Sequence, residues 1–396
     1  MRWAREFEFR SPPHIVFGPN TVTRLGEIAS GLGSKAPLLM ADPVVHRLGF
    51  ADGAEQSLWD AGLSVRVYSD IATEPTLSSV EDAVRAFREG GCDLIVAMGG
   101  GSTIDSSKSV SLLLGNEGKL SEYQQLRIGS DWTPQAPRAA PRRPHHSHPD
   151  HGGHRKRGHR RIRSLRSRVR NQRLGGRPRP SGLGCDPTLH VSMPPHVTAD
   201  TGTDALSQAI ECYLNTGFKP TSDALALKSI ETIGRYLPLA YANGEDLEAR
   251  SAMLWAANTV GLAFGNGGLI HNHTFAEVLG DLTHLPHGRL LGMTLPYILD
   301  FNLEGCEEKL ADIGRALGAD LSGESARNET EASVSAVREL LADVQNDDPL
   351  SKYDVTEEQL NVAADRVYAQ HEARSASSPK GFETREDVMW VLESAY

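Results

Sequence analysis

Residues 94–114 read LIVAMGGGSTIDSSKSVSLLL. The apolar run Leu94–Met98 has the length of a buried strand, and the segment from Ser102 onward has helical character. Three glycines, Gly99, Gly100 and Gly101, separate them. Glycine at a strand-to-helix turn lets the backbone approach a phosphate closely, while the helix N-terminus offers unpaired N–H groups and the positive end of its dipole. The turn therefore suits a pyrophosphate, although a plain tight loop carries the same local signature.

Outward from this turn, residues 36–98 alternate short apolar runs with helical periods. PLLMAD (37–42) is followed by a helical VVHRLGFADGAEQSLWDAG (44–62), then SVRVYS (64–69), then a second helix in which Val80, Ala83, Val84 and Phe87 recur at helical spacing before Gly90 and Gly91. Such alternation is that of a parallel sheet in an α/β domain. Asp42 closes the first of these strands. A carboxylate there can accept from the 2′-hydroxyl of an adenosine ribose and repel a 2′-phosphate, favouring NAD over NADP. It can equally cap the helix that follows.

After Pro194 the texture changes to long amphipathic segments, among them TSDALALKSIETIGRYL (221–237), DLEARSAMLWAANTVGLAF (246–264) and SVSAVRELLADVQ (333–345). GESARNETE (323–331) is polar enough for an exposed loop, and TREDVMWVLESAY (384–396) reads as a helix capped by Thr384. A chain of 396 residues has room for two domains. The prolines of DPTLHVSMPP (186–195) mark the boundary, giving an α/β dinucleotide-binding domain over 1–190 and an all-helical domain over 191–396.

Residues 138–179 break the composition. They hold fifteen Lys or Arg, six His and one acid, Asp150, whereas the rest of the chain has 26 basic against 50 acidic residues, a formal charge of −24. That acidity argues against nucleic acid as a partner. Nine Lys against thirty-two Arg points to a GC-rich source, whether salt-adapted or simply acidic and cytosolic. Cys92, Cys185, Cys212 and Cys306 are scattered without a C-x-x-C pair, which fits a reducing compartment. No signal-peptide pattern opens the sequence and no window reaches eighteen uncharged apolar residues, so a soluble, cytoplasmic protein without membrane association is expected.

The helical half also carries clustered donors. ADTGTDALSQAIE (199–211) places Asp204 and Gln208 four apart on one helix face. His271 and His273 follow in GLIHNHTFAEVLG, then His284 and His287 in LTHLPHG. Any one of these histidines could be structural, but Asp and His gathered from several helices can grip a divalent metal.

Taken together these stretches resemble the iron-containing, metal-dependent (group III) alcohol dehydrogenase family. The resemblance runs from about Phe9 to Tyr396 with a gap at 138–184, and rests on Gly-Gly-Gly-Ser-x-x-Asp-x-x-Lys, on Gly-x-Asp-Ala-Leu-x-His-Ala-x-Glu, on a His ahead of Leu-Gly, and on Pro-His-Gly. It implies a dehydroquinate synthase-like fold, an α/β dinucleotide domain plus an all-α metal domain with the active site between them. The implied activity is metal-assisted hydride transfer between an alcohol and an aldehyde or ketone, with NAD as cofactor, NADP as the alternative, and Fe2+ or Zn2+ as metal. Carried over by position, Asp204, His273 and His287 match three metal ligands. Gln208 stands where the family usually has His, a neutral and weaker donor. Gly99, Gly100, Gly101, Ser102 and Asp105 fall on the cofactor motif, with Asp42 beside them. Glu277, four residues after His273, can complete the metal sphere or move a proton, and His271 is the other catalytic candidate. A small alcohol or aldehyde substrate and a homo-oligomer, a dimer, complete the expectation. Relatives such as maleylacetate reductase and glycerol dehydrogenase are rival readings.

The basic segment fits a frame slip. Pro144–His159, PHHSHPDHGGHRKRGH, written in GC-rich codons and read one nucleotide later, gives PTIAIPTTAGTGSEVT, which resembles the family's Thr-Thr-x-Gly-Thr-Gly-Ser turn. As printed, this stretch has almost no apolar periodicity and is expected to be disordered or ill-packed. An inactive, frame-shifted remnant is accordingly a further alternative, as is a nucleic-acid arm or loose chelator.

Overall fold

A computed structural model of the chain describes residues 5–9, 14–71, 76–115, 169–170 and 182–396. The frame-slip reading of 144–159 lies outside these residues, as does most of 138–184. The chain falls into two compact units, Pro12–Asp186 and Pro187–Tyr396, the second joined by Met1–Ser11.

The first unit is α/β. In chain order it contains β1 (His14–Phe17), α1 (Leu25–Gly31), β2 (Pro37–Ala41), α2 (Pro43–Arg47), α3 (Asp52–Asp60), β3 (Arg66–Tyr68), α4 (Leu77–Glu89), β4 (Leu94–Met98), α5 (Gly101–Gly115), β5 (Val169–Arg170) and β6 (Gly182–Cys185). The sheet order is β1-β6-β5-β4-β2-β3. β2 and β4 are buried along their whole length, as continuous apolar runs in a sheet covered on both faces should be. β2 pairs in parallel with β3 on one side and β4 on the other, and β1 pairs in parallel with β6. The chain leaves β2 toward β3 and leaves β4 in the opposite direction, so the gap beyond the carboxyl ends of β2 and β4 is a topological switch point.

Two sequence expectations need correction here. The segment 44–62 is not one helix, because Gly49 adopts φ +77° and separates α2 from α3. Nor is the sheet wholly parallel, since the two-residue β5, inside the basic segment, runs antiparallel to both β4 and β6. Ladder bonds use only main-chain groups, which any composition supplies. The second helix does form as its spacing predicts: Val80, Ala83, Val84 and Phe87 are its buried face, Thr76 and Ser79 close a capping box, and Gly91 follows at φ +60°.

The second unit is helical, with no strand among its described residues. Its helices are α6 (Pro195–Leu214), α7 (Pro220–Ala242), α8 (Leu247–Gly267), α9 (Asn272–Thr283), α10 (His287–Phe301), α11 (Glu307–Ala316), α12 (Ala326–Asp343), α13 (Glu357–Tyr368), α14 (Glu372–Ser375) and α15 (Arg385–Ser394). α6 starts on Pro195, whose missing N–H costs nothing at a first helical position. It is buried nearly all round, with Leu206, Ile210 and Leu214 in a core shared with Ile230, Val260, Phe275 and Leu291. Thr384 caps α15 as expected. The polar stretch 323–331 is only partly a loop: Ser325 accepts from the Asn328 N–H, and Arg327 pairs with Glu331, so α12 begins within it.

Candidate active site

In the α/β unit the glycine turn and Asp42 meet at the switch point. Ala41 lies opposite Met98 in the β2–β4 ladder, and the Asp42 N–H donates to the Met98 carbonyl at 2.9 Å. Gly99 takes φ +154°, and a Cβ on it would lie 2.6 Å from Thr103 Oγ1 and 2.7 Å from Asp42 Cβ. Both the backbone angle and the crowding therefore require glycine. Gly100, in contrast, has no atom of the described residues within 4 Å of a would-be Cβ, and Gly101 and Ser102 open α5. Together they form a strand, a bare turn and a helix N-terminus, the geometry that receives a phosphate.

Asp42 caps α2, its Oδ1 accepting from Val44 N at 2.8 Å and Val45 N at 3.3 Å. Capping and the ribose role are compatible for a carboxylate, which has more lone pairs than these two bonds use. Asp105 is buried in the first turns of α5, where Lys108 Nζ donates to its Oδ1 at 2.9 Å. This placement makes Asp105 an internal brace of the turn's helix.

The helical unit brings Asp204, His273 and His287 together: one ligand atom of each lies within 4.8 Å of the other two. Asp204 comes from the middle of α6, His273 from the first turn of α9, and His287 is the first residue of α10. His273 Nε2 stands 3.2 Å from Asp204 Oδ1, and the rings of His273 and His287 are 5.3 Å apart, edge to face. The helices can come this close because of Gly288. A Cβ there would sit 1.8 Å from the Asp200 carbonyl oxygen, so α6 and α10 touch backbone to backbone beside the two ligand candidates.

A strap from the loop after α12 secures the same contact. Asn346, wholly buried, donates its Nδ2 to Thr203 Oγ1 at 2.8 Å and to the Gly288 carbonyl at 3.2 Å. Arg289 pairs with Asp200 at 3.0 Å and also donates to the Gln345 carbonyl.

A residue that the sequence expectations include only as the Glu closing the Gly-x-Asp-Ala-Leu-x-His-Ala-x-Glu stretch, with no role assigned, completes the group. Glu211, buried with no exposure, accepts from His273 Nδ1 and from Ser207 Oγ at 3.0 Å. Its position was readable, since Asp204, Gln208 and Glu211 fall at i, i+4 and i+7 on one face of α6. Burial by itself pushes the His273 imidazole pKa down, but the Glu211 charge and the bonds to Asp204 and Glu211 outweigh it and hold the pKa up at about 10. A proton on Nε2 thus sits where a cation could replace it.

This donor set fits a divalent cation. It offers one carboxylate and two imidazoles, a carboxylate behind His273 of the kind that orients ligating histidines, and a buried His287 Nδ1 with no hydrogen-bond partner among the described residues. Gln208 is near but differently employed: its Nε2 donates to Asp204 Oδ1 at 2.8 Å. Glu277 is the exposed residue within 271–280 and is not part of the cluster. His271 is wholly buried, with Nε2 3.2 Å from Ser375 Oγ and Nδ1 3.0 Å from Ser378 Oγ, and its ring is tilted against Phe382 at 4.3 Å. Burial, then the nearby Arg374 and His371 charges, depress its pKa to about 3, so it stays neutral.

Comparison with known proteins places this geometry in a family. The profile of "Iron-containing alcohol dehydrogenase" matches residues 12–141, and that of "Fe-containing alcohol dehydrogenase family, C-terminal" matches residues 198–396. The NAD-dependent methanol dehydrogenase of Bacillus methanolicus is 30% identical over 98% of this chain and 99% of its own length. The 1,3-propanediol dehydrogenase of Klebsiella pneumoniae is 32% identical over 86% of this chain and 87% of its own. A crystal structure of 1,3-propanediol oxidoreductase superposes with a TM-score of 0.81 at 26% identity, covering 99% of this chain and all of the other.

Proposed function

Because the chain belongs to the iron-containing alcohol dehydrogenase family, and is thus a metal-dependent oxidoreductase of the alcohol dehydrogenase class, we propose that Asp204, His273 and His287 hold a divalent cation while Gly99–Ser102 seat the pyrophosphate of NAD. The observation that carries this is the convergence of three donors from three helices within 4.8 Å. Fe2+ is our first choice of metal and Zn2+ the second, since one carboxylate and two imidazoles suit both. When bound, the cation supplies Lewis acidity toward an alcohol or carbonyl oxygen.

The chain's own groups do the rest. Glu211 keeps the Nδ1–H of His273 occupied, which leaves Nε2 for the cation. Gln208 steadies Asp204 through its amide N–H, and its carbonyl oxygen is the candidate fourth donor. Glu277, exposed one turn beyond His273, can exchange a proton with water. His271, sealed between two serines and neutral, is better suited to bracing the start of α9 than to catalysis. The glycine turn and Asp42 would hold the dinucleotide, Asp42 favouring an unphosphorylated ribose, and the bound nicotinamide would supply a hydride acceptor. The methanol and 1,3-propanediol dehydrogenases among its relatives support a short alcohol or diol as substrate.

The test is to purify the full chain without chelator, measure its metal content, and assay NAD-linked oxidation of short alcohols and diols. Metal near one equivalent per chain, with activity that chelator removes and Fe2+ or Zn2+ restores, is the expected result. Metal-free protein with full activity refutes it.

The inactive-remnant reading draws support from one observation. The first family profile stops at 141, four residues into the basic segment, and the second begins only at 198. Gene sequencing, followed by assay of the chain with the shifted frame restored, separates an impaired enzyme from a working one.

A further inference from the structure

We propose that Glu211 is the positioning residue of the metal centre, locking the His273 imidazole so that Nε2 faces Asp204, and that Ser207, Asn272 and Thr294 in turn lock Glu211. This rests on the reading of Asp204, His273 and His287 as metal ligands.

The argument begins with the cost of burying a charge. Glu211 lies in the fully buried middle of α6, and among the described residues its only ion-pair partner is His273. A buried carboxylate persists only when its oxygens are filled with donors. Here Oε1 accepts from His273 Nδ1 and from Ser207 Oγ at 3.0 Å, while Oε2 faces the His273 backbone N–H at 3.5 Å. That N–H belongs to the first turn of α9, where helical N–H groups lack partners within their own helix. One carboxylate therefore holds both the ring and the main chain of the same residue.

The direction of each bond follows from what each group can do. A carboxylate accepts only, so the hydrogen of the bond lies on His273 Nδ1 and the remaining ring position is Nε2, 3.2 Å from Asp204 Oδ1. Turning the ring over would set a C–H against Glu211 and leave the buried charge short of a donor. Ser207 spends its single proton on Glu211 because its own oxygen already accepts from Asn272 Nδ2 at 2.9 Å. The Asn272 amide is held from both ends: Thr294 Oγ1, whose one proton is shared between Asn272 Oδ1 at 2.6 Å and the Leu290 carbonyl at 2.9 Å, faces its oxygen, while Nδ2 also reaches the Leu291 carbonyl at 3.2 Å. All the donors thus point one way, from Thr294 through Asn272 and Ser207 to Glu211, and tie together α6, α9 and α10, the three helices that carry the ligands. Removing such an outer partner characteristically weakens metal binding by about 10–100-fold.

The experiment uses the full chain, stripped by chelator and titrated with Co2+, whose visible bands report coordination and whose affinity is read by competition. Thermal midpoints of the metal-free proteins are recorded in parallel. If the wild type takes up no Co2+, the metal reading itself fails and this inference falls with it. Given wild-type binding, Glu211→Gln is expected to lose about 10–100-fold in Co2+ affinity and to shift the visible bands. Ser207→Ala, which removes one bond to Glu211, should lose about 2–10-fold with its metal-free midpoint little changed. Wild-type affinity and spectrum in a folded Glu211→Gln protein overturn the proposal while leaving the metal site standing. Should Glu211→Gln fail to fold, Ser207→Ala decides: weakened binding supports the lock, and unaltered binding overturns it.

Discussion

Replacing Gly288 by Ala should disable the metal centre without touching a ligand. The new methyl would lie 1.8 Å from the Asp200 carbonyl oxygen and 2.4 Å from its carbon, whereas ordinary contact begins near 3.4 Å. Both sides of this clash are main chain, so no rotamer relieves it, and α10 must recede from α6 by about 1.6 Å. Metal–ligand distances tolerate about ±0.2 Å. A shift several times larger carries His287 away from Asp204 and His273, so metal content should drop below stoichiometric and activity should fall by at least about tenfold. Overpacking of this kind costs about 1–3 kcal/mol, and for a unit of roughly 200 residues each kcal/mol moves the thermal midpoint by about 2–4 °C. Gly265→Ala is the control. Gly265 lies in α8 with nothing within 4 Å of its would-be Cβ, so there alanine should stabilise by up to ~1 kcal/mol. Metal analysis and calorimetry of both variants provide the assay. A Gly288→Ala protein that retains full metal and the wild-type midpoint refutes the claim that backbone contact sets the spacing of the donors.

Three further outcomes are expected. Gly99→Ala, with φ +154° and a methyl within 2.7 Å of both Thr103 and Asp42, should cost about 1–3 kcal/mol and raise the NAD dissociation constant, measurable by NADH fluorescence. Asp42→Ser keeps a cap on α2 but removes the negative charge, so stability should hold while the preference for NADH over NADPH, taken as the ratio of kcat/KM values, narrows; an unchanged ratio removes Asp42 from cofactor choice. His271 sits at about 3 when folded against 6.5 when unfolded, so its contribution is present above pH 6.5 and disappears as pH falls toward 3, by up to about 5 kcal/mol. Metal-free His271→Gln should start less stable and lose less over that window, and parallel acid melts would show otherwise if the imidazole is not buried neutral.

The sequence made the α/β half legible because its signals are local. A five-residue apolar run, a glycine turn and a 3.6-residue period each declare themselves within twenty residues, and β4, Gly99 and α5 lie where those patterns put them. Gly49 shows the limit: one glycine inside an otherwise helical pattern ended a helix, and only its positive φ reveals it. In the helical half, residue type and resemblance single out Asp204, His273 and His287, which the fold brings together, whereas nothing local to the α6 sequence shows that Glu211 faces His273, 62 residues away. Gly288 and Asn346 were beyond reach for a different reason. Their partners, Asp200 and Thr203, are defined by packing between distant segments, and no short-range pattern encodes that.

The Asn346 strap bears on the order in which the protein can be completed during synthesis. Asp204, His273 and His287 leave the ribosome well before residue 346, yet the bonds from Asn346 to Thr203 and Gly288 span 143 and 58 residues of chain. Until that loop emerges, the contact that spaces the donors lacks its outer fastening. A nascent chain therefore carries Asp204, His273 and His287 before the bonds that fasten α10 to α6 can form.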